Sequence, residues 1–398
     1  MKNFTLLSFI LTILILSNAC NYEVSHEEKQ SQVNEITVDI SKSIDRNEFI
    51  HEVYAYISDI EFIKLETPEK NVIKRIEKML LHKNKFIIMQ DLTSPILIFS
   101  NDGSFHKSID QFGKGPSELY EIRDIVITHD NLAILDYNKI HYCSQNYEIL
   151  KSELITDNIS PEEFINPLKF HKDNHYTYLW SGSLGSSKQA LTIYNTSGKE
   201  TSNYFAVKYL IINLANRFSN NGSRILLNPP NLNDTIFEVK EGKLIPIYYL
   251  NFKENKREQN QTVPTDTRDI ISLISFVDNN KLAHTIGCFE TNNILFFNYT
   301  YLGKMRQGFY HKKEHKTVLS NELWFKNIFE FNVSDIRTVT DNEVILSLDA
   351  FQIRQLLDED KISSSFLPET RRLQLLENLK DVKETDNPVL MLVTFKNQ

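Results

Sequence analysis

The chain has 398 residues, 41% of them hydrophobic and 24% charged, with a formal net charge of −8. An acidic balance of that size repels nucleic acid and anionic lipid surfaces rather than seeking them. Three cysteines in the whole chain exclude a disulfide-built scaffold, and the length is ample for one large core or two domains.

Residues 1–20, "MKNFTLLSFILTILILSNAC", open with Lys2 and run almost wholly apolar from Phe4 to Leu16. The pattern predicts a secretory signal peptide over 1–19. Its apolar core is shorter than the roughly 20 residues a membrane-spanning helix needs. Cys20 after Ala19 resembles the lipobox of bacterial lipoproteins, in which that cysteine is acylated and becomes the first mature residue. The usual Leu three places earlier is Ser17 here, with Leu16 displaced by one. Ordinary cleavage to a soluble secreted product, or an uncleaved anchor, is the competing reading. Removing 1–19 with Lys2 leaves a net charge of −9.

Residues 21–48 are polar and acidic, too poor in large apolar side chains to offset chain ordering, and predict a flexible tether over 20–58. Glu23, Glu27 and Glu28 loosely resemble a surface-export signal of Bacteroidetes lipoproteins. The expected location is the cell envelope, on an outer-membrane lipid anchor facing either the periplasm or the cell surface.

From Asp59 the pattern changes to short runs rich in Ile, Phe, Tyr and Val, separated by turn residues. "KFIIMQD", "LAILDY", "HYTYLW", "SRILLN", "NILFFNY" and "EVILSLD" each read as a strand. A further strand and a tight turn follow: "NDGS" (101–104), "SQNYE" (144–148), "TSGKE" (196–200), "KEGKL" (240–244) and "KEHKT" (313–317). Gly103, Gly198 and Gly242 supply the positive φ such hairpins need, and His315 stands in the same place. Turn-to-turn spacings are 43, 52, 44 and 73 residues. Propeller blades repeat at roughly 40–50 residues. The long last interval holds "TDTRDIISLISFVDN", whose apolar residues follow a helical period near 266–278. Five turns and the strand material at 330–349 and 387–396 predict six blades over 59–398. "PETRRLQLLENLK" (368–380) predicts a late helix, with Pro368 in its first turn and Leu373, Leu376 and Leu379 on one face. It is expected against the side or underside of the propeller.

"FYHKKEHKT" (309–317) contains His311, Glu314 and His315 in the H-x-x-E-H spacing of one group of zinc hydrolases. That motif works on a helix, where residues four apart share a face. Here the first histidine falls at a strand end and the second in a hairpin turn, so no metal site is expected.

The stretches "KLET" (64–67), "IFSNDGSF" (98–105), "FGKGPSELYEI" (112–122) and the closing "DNPVLMLVTFK" (386–396) resemble the six-bladed β-propeller lipoproteins of the Bacteroidetes, which are similar to NHL-repeat propellers. The likeness covers about 60–398 and is strongest over 60–140. It implies an all-β fold, a six-bladed propeller of four-stranded antiparallel blades, closed by strands near 59–65 and 389–396. It implies no particular activity. Closing the ring removes most exposed sheet edges without disulfides, so Cys143 and Cys288, in separate repeats, are expected as buried free thiols.

Three further motifs stop short of chemistry. "WSGSLG" (180–185) has Ser181 where a nucleophile elbow needs its first glycine, and it continues into a strand. "FGKGPSE" (112–118) lacks a following helix to hold a phosphate. His284 and Cys288 lack partners for a zinc site.

Asp91, Asp136, Ser181, Asn228, Asn298 and Asp349 stand at or just after the second strand of their repeats. Loops after second strands and between blades emerge on one face of a propeller, so these six form a candidate ring at the channel mouth, with Lys114 and Arg123 nearby. Each Asp or Asn alternatively caps its own turn. The expected function is binding of a small ligand or partner protein on that face by a monomer, without catalysis. No cofactor is expected, although the ring admits a divalent cation such as calcium. The alternative is a propeller lyase or hydrolase with a metal-assisted site at the mouth, and a third reading is a structural partner in an outer-membrane complex.

Overall fold

The computed structural model describes residues 35–40, 51–155, 166–181, 189–196, 201–206, 218–229, 234–256, 276, 279–320, 336–358 and 367–396. Six sheets, each built on four antiparallel strands, make a six-bladed β-propeller. From the channel outward, blade 1 is Lys78–His82, Lys85–Met89, Ile96–Ser100 and Phe105–Ile109. Blade 2 is Ile122–Thr128, Asn131–Asp136, Lys139–Cys143 and Ile149–Leu154. Blade 3 is Lys169–Lys172, Tyr176–Trp180, Gln189–Asn195 and Thr201–Ala206. Blade 4 is Phe218–Asn220, Ile225–Leu227, Thr235–Lys240 and Lys243–Asn251, and blade 5 is Ala283–Glu290, Ile294–Tyr301, Lys304–His311 and Lys316–Ser320. Blade 6 joins Ile336–Val339, Glu343–Leu348 and Val389–Phe395 to Ile57–Lys64 from the other end of the chain.

The middle strands of a blade are covered on both faces by neighbouring blades, which explains their unbroken apolar runs. "ILIFS" in blade 1 is buried through its first four residues. The outer strand "FHKSI" is only partly covered, and it is polar accordingly. The core therefore divides into clusters between adjacent blades. One joins Ile87, Met89 and Ile98 of blade 1 to Ile125, Leu132 and Ile134 of blade 2.

The turns follow the expected chemistry. Gly103 and Gly242 have φ of +88° and +76°, and His315 has +52°. In "SQNYE" the left-handed residue is Tyr147 (φ +60°) rather than Asn146. Gly198 lies outside the described residues. A side chain at Gly103 would place its Cβ 2.0 Å from the carbonyl oxygen of Lys64, so this turn needs glycine for space as well as for φ.

Three features depart from the sequence expectation: an added strand, an added helix and the position of Leu373. Ile36–Asp39, within the stretch read as a tether, forms a fifth strand on blade 4, parallel to Lys243–Asn251. A helix α1 (Ala350–Asp358) follows the second strand of blade 6, started by Asp349, whose Oδ1 accepts the amide of Phe351 at 3.0 Å. Helix α2 (Glu369–Leu379) is present with Pro368 at its N-cap, packed against Ile57–Lys64. It buries Leu375 and Leu379, whereas Leu373, expected on the inner face, is 52% exposed. Leu375 and Leu379 are four apart on one face, and Leu373 precedes Leu375 by about 200° of helical rotation.

The helical insertion near 266–278 lies outside the described residues, except for Phe276, which is helical. The expected signal peptide (1–19) and Cys20 also lie outside them. Among the described residues no helix is long and apolar enough to cross a membrane. Cys143 and Cys288 are free and buried, and burial pushes the Cys143 thiol up to about 12.

Candidate binding face at the channel mouth

The innermost strand of each blade starts at the end of the channel where interblade connections and loops after second strands emerge. Four of these six strands carry a cation in their first two positions: Lys78, Arg123, Lys169 and Arg337. Two of the four sit on β-bulges. The pairing register shifts between Ile122 and Asp124, and again between Ile336 and Thr338, leaving Arg123 and Arg337 as the extra residues. A bulge bends the strand and re-aims its side chain, here at the rim of the channel.

Asp124 is the anion among them, fully buried. It accepts the ammonium of Lys78 at 2.8 Å and the amide of Phe170 at 2.9 Å, which ties the inner strands of blades 1, 2 and 3 together. Burial lowers the Lys78 pKa; Asp124 opposes that shift, and the charge of Lys169 adds to it. Lys169 is buried, with its Nζ 3.4 Å from the carbonyl oxygen of Arg123. Arg123 donates to Glu121 (2.9 Å) and to the carbonyl of Pro167 (3.2 Å), also pairs with Asn166, and lies 4.5 Å from the ring centroid of Tyr137. Arg337 donates to Ser347 Oγ at 2.8 Å and to the carbonyl of Ile76 at 2.9 Å.

The residues expected to ring the mouth fare unevenly. Asp91 accepts the amides of Thr93 and Ser94 (2.9 and 2.7 Å) and the hydroxyl of Ser94, and so caps its own turn. Burial raises its pKa, but these hydrogen bonds outweigh that and lower it. Asp136 is buried and accepts the amides of Tyr120 and Glu121 (3.1 and 2.7 Å) and Nε2 of His141 (3.0 Å). Its pKa too is lowered, because the His141 hydrogen bond and the two amides outweigh burial. Asp349 is the helix cap already described. Asn298 is not at a strand end: its strand runs on to Tyr301, and it pairs in mid-sheet with Gly287 and Gln307. Ser181 and Asn228 do follow their second strands and are buried, and the Ser181 hydroxyl has no hydrogen-bond partner among the described residues. Lys114 is exposed on the connection between blades 1 and 2.

That connection folds on itself. The amide of Gly115 donates to Glu118 Oε2 at 2.7 Å, so the loop's own carboxylate takes the amide a phosphate would need. His311, Glu314 and His315 lie on a hairpin as their spacing predicts. His311 stacks on Tyr56 at 4.5 Å and its Nδ1 accepts the Glu314 amide, Tyr56 donates to the Glu314 carboxylate, and His315 pairs with Tyr310 at 2.8 Å. Among the described residues no group of three or more His, Cys, Asp or Glu is placed to hold a metal ion.

A second property of this face was not anticipated. Of ten large apolar side chains exposed among the described residues, six lie on connections of the mouth side: Val72, Leu92, Tyr120, Tyr137, Leu302 and Phe351. Three of them belong to one place. Tyr120 and Tyr137 meet edge to face at 6.3 Å, Tyr137 lies over Arg123, and the Leu92 carbonyl accepts the Ile122 amide next door at 2.7 Å. Tyr137 holds φ of +39°, a region disfavoured for a bulky residue. Grouped exposed aromatics of this kind mark interaction surfaces.

The family described as "Domain of unknown function (DUF4934)" matches residues 35–394. The fold is similar to the crystal structure of an inferred exported protein from Bacteroides fragilis, with TM-score 0.71 and 15% identity, covering 91% of this chain and 100% of that one. It is also similar to a member of the DUF4221 family from Bacteroides vulgatus, with TM-score 0.50 and 10% identity, covering 85% of this chain and 98% of that one. At these identities the likeness speaks for the fold alone. Among curated proteins no relative matches the sequence.

Proposed function

We propose, for a chain that belongs to the DUF4934 family, an exported and lipid-anchored propeller that binds a ligand or partner protein on its channel-mouth face. The observation that carries this reading is the gathering of exposed apolar side chains on that face, densest at Leu92, Tyr120 and Tyr137 beside Arg123. Rigid aromatics lose little entropy on binding, and a neighbouring cation supplies orientation. Export is supported by the apolar leader from Phe4 to Leu16 and by the description of the Bacteroides fragilis protein as exported. Cys20, after that leader, is the proposed site of acylation, and the acidic tether leads from it to the first strand.

Photo-crosslinking in the native host tests the reading. A photoreactive residue in place of Tyr120 or of Tyr137 is expected to trap the same species from both positions. One in place of Leu150, exposed on the outer strand of blade 2, is expected to trap none. Equal adducts from all three positions, or adducts from none, would refute the mouth as the binding face.

A further inference from the structure

The cations at the mouth outnumber the anions set against them. Lys78, Arg123 and Lys169 begin three adjacent inner strands, and among the described residues Asp124 and Glu121 face them with ion-pair contacts. Asp124 is fully engaged by Lys78 and by the Phe170 amide. Glu121 is taken by Arg123. That leaves Lys169 buried, with a long contact to one backbone carbonyl and no carboxylate in ion-pair reach among the described residues. An ammonium so placed bears the cost of desolvation without an opposing charge.

Unmet donors accompany it. Lys169 pairs directly across the sheet with Trp180, whose Nε1 is buried with no hydrogen-bond partner among the described residues, and the Ser181 hydroxyl next to it is in the same state. Indole N–H can only donate, so Trp180 lacks an acceptor among the described residues, and the Ser181 hydroxyl is free to donate or accept. Buried polar groups are ordinarily satisfied, and a buried cation with no opposing carboxylate calls for a negatively charged complement.

We infer that the channel mouth takes an oxyanion, a carboxylate or phosphate group of the bound ligand, against Lys169 at the inner ends of blades 1–3. This rests on the binding face proposed above and adds the chemistry of what binds. It also reverses the charge expected from the Asp ring, because Asp91 and Asp349 cap local amides and Asp136 holds the Tyr120 and Glu121 amides and His141. The Tyr120–Tyr137 pair would then receive the uncharged part of the same ligand.

Thermal melting of the full chain in sodium chloride, sodium phosphate and sodium succinate at matched ionic strength tests the inference. Phosphate, succinate or both should raise the melting temperature in a saturable way that chloride does not reproduce, and which of them acts assigns the group. Lys169→Met and Lys169→Gln should abolish the anion response while melting in chloride at or above the wild-type temperature, since each removes a buried charge. Lys107→Met, on the outer strand of blade 1, should keep it. No anion-specific shift in the wild type overturns the inference. So does a shift that survives both Lys169 variants, or a fall in their melting temperature in chloride, which would show that Lys169 is compensated. Crosslinking from Tyr120 with no anion response would sink this inference alone and leave the binding face standing.

Discussion

Asn387 receives the amide of Ile73 on its Oδ1 at 2.7 Å, across 314 residues of sequence. Its Nδ2 donates to the carbonyl of Glu66 at 2.7 Å, and its own amide donates to Thr67 Oγ1 at 2.8 Å. The side chain is buried, so one residue before the last strand stitches blade 6 to the connection that enters blade 1.

Asn387→Ala should therefore leave the Ile73 amide and Glu66 carbonyl unmet, at a cost of about 1–3 kcal/mol. Urea unfolding measures it. A loss within error of zero would mean that strand pairing alone closes the ring.

Gly103→Ala meets both a disfavoured φ and the Lys64 carbonyl. A loss of about 1–3 kcal/mol is expected, read by the same unfolding curves, while Gly222→Ala, where a Cβ finds open space, should lose only the φ term. Equal losses would show that the contact with Lys64 relaxes freely.

His315→Gly should keep or raise stability, by up to about 1 kcal/mol, because glycine adopts the left-handed turn without strain. His311→Asn should lower it, since the buried ring loses its stacking on Tyr56. Neither change should alter the metal content of the purified protein. A stoichiometric metal lost on either substitution would contradict the hairpin account.

Asp234 is buried with an oxygen that has no hydrogen-bond partner among the described residues, and burial pushes its pKa up to about 8, with Lys256 only partly opposing. In the unfolded chain the same group ionises near its ordinary 3.8. The folded state thus holds the proton more tightly, and this contribution to stability is full below about pH 4 and lost as pH rises through about 8. Asp234→Asn should gain about 1–3 kcal/mol over wild type near pH 9 and show little gain near pH 4. A pH-independent difference would mean that Asp234 is ionised in the fold.

Cys20→Ala should leave the precursor unacylated and move the protein out of the detergent-extracted membrane fraction. Lipid labelling that persists in this variant would remove the anchor from the proposal.

The blades were legible because second strands such as "KFIIM" and "NLAILD" are covered on both faces and are apolar accordingly, and because Gly103, Gly242 and His315 punctuate the outer hairpins. Helix α1 carried a signal that was passed over: Asp349 as a cap, then Ile353 and Leu357 four apart. The mouth was harder to read. An Asp at a strand end looks the same in sequence whether it faces a ligand or backbone amides: Asp91 takes those of its own turn, and Asp136 takes Tyr120 and Glu121 of the preceding connection together with His141. The cations were written at the start of first strands, in "EKMLL", "EIRDIVI", "PLKFHK" and "SDIRTV", but bulges decide where Arg123 and Arg337 point. A bulge leaves no period in a four- to seven-residue strand.

The parallel strand Ile36–Asp39 gives the N-terminal segment a mechanical role. Tension applied through a tether from Cys20 would load its pairing with Tyr248–Asn251 of blade 4 before any force reached Ile57–Lys64, the strand that closes the ring. Hydrogen bonds running across a strand pulled along its length share the load in shear. The short strand acts as a cable clamp, and a molecule tugged at its N-terminal end would slip there first, with its six blades still shut.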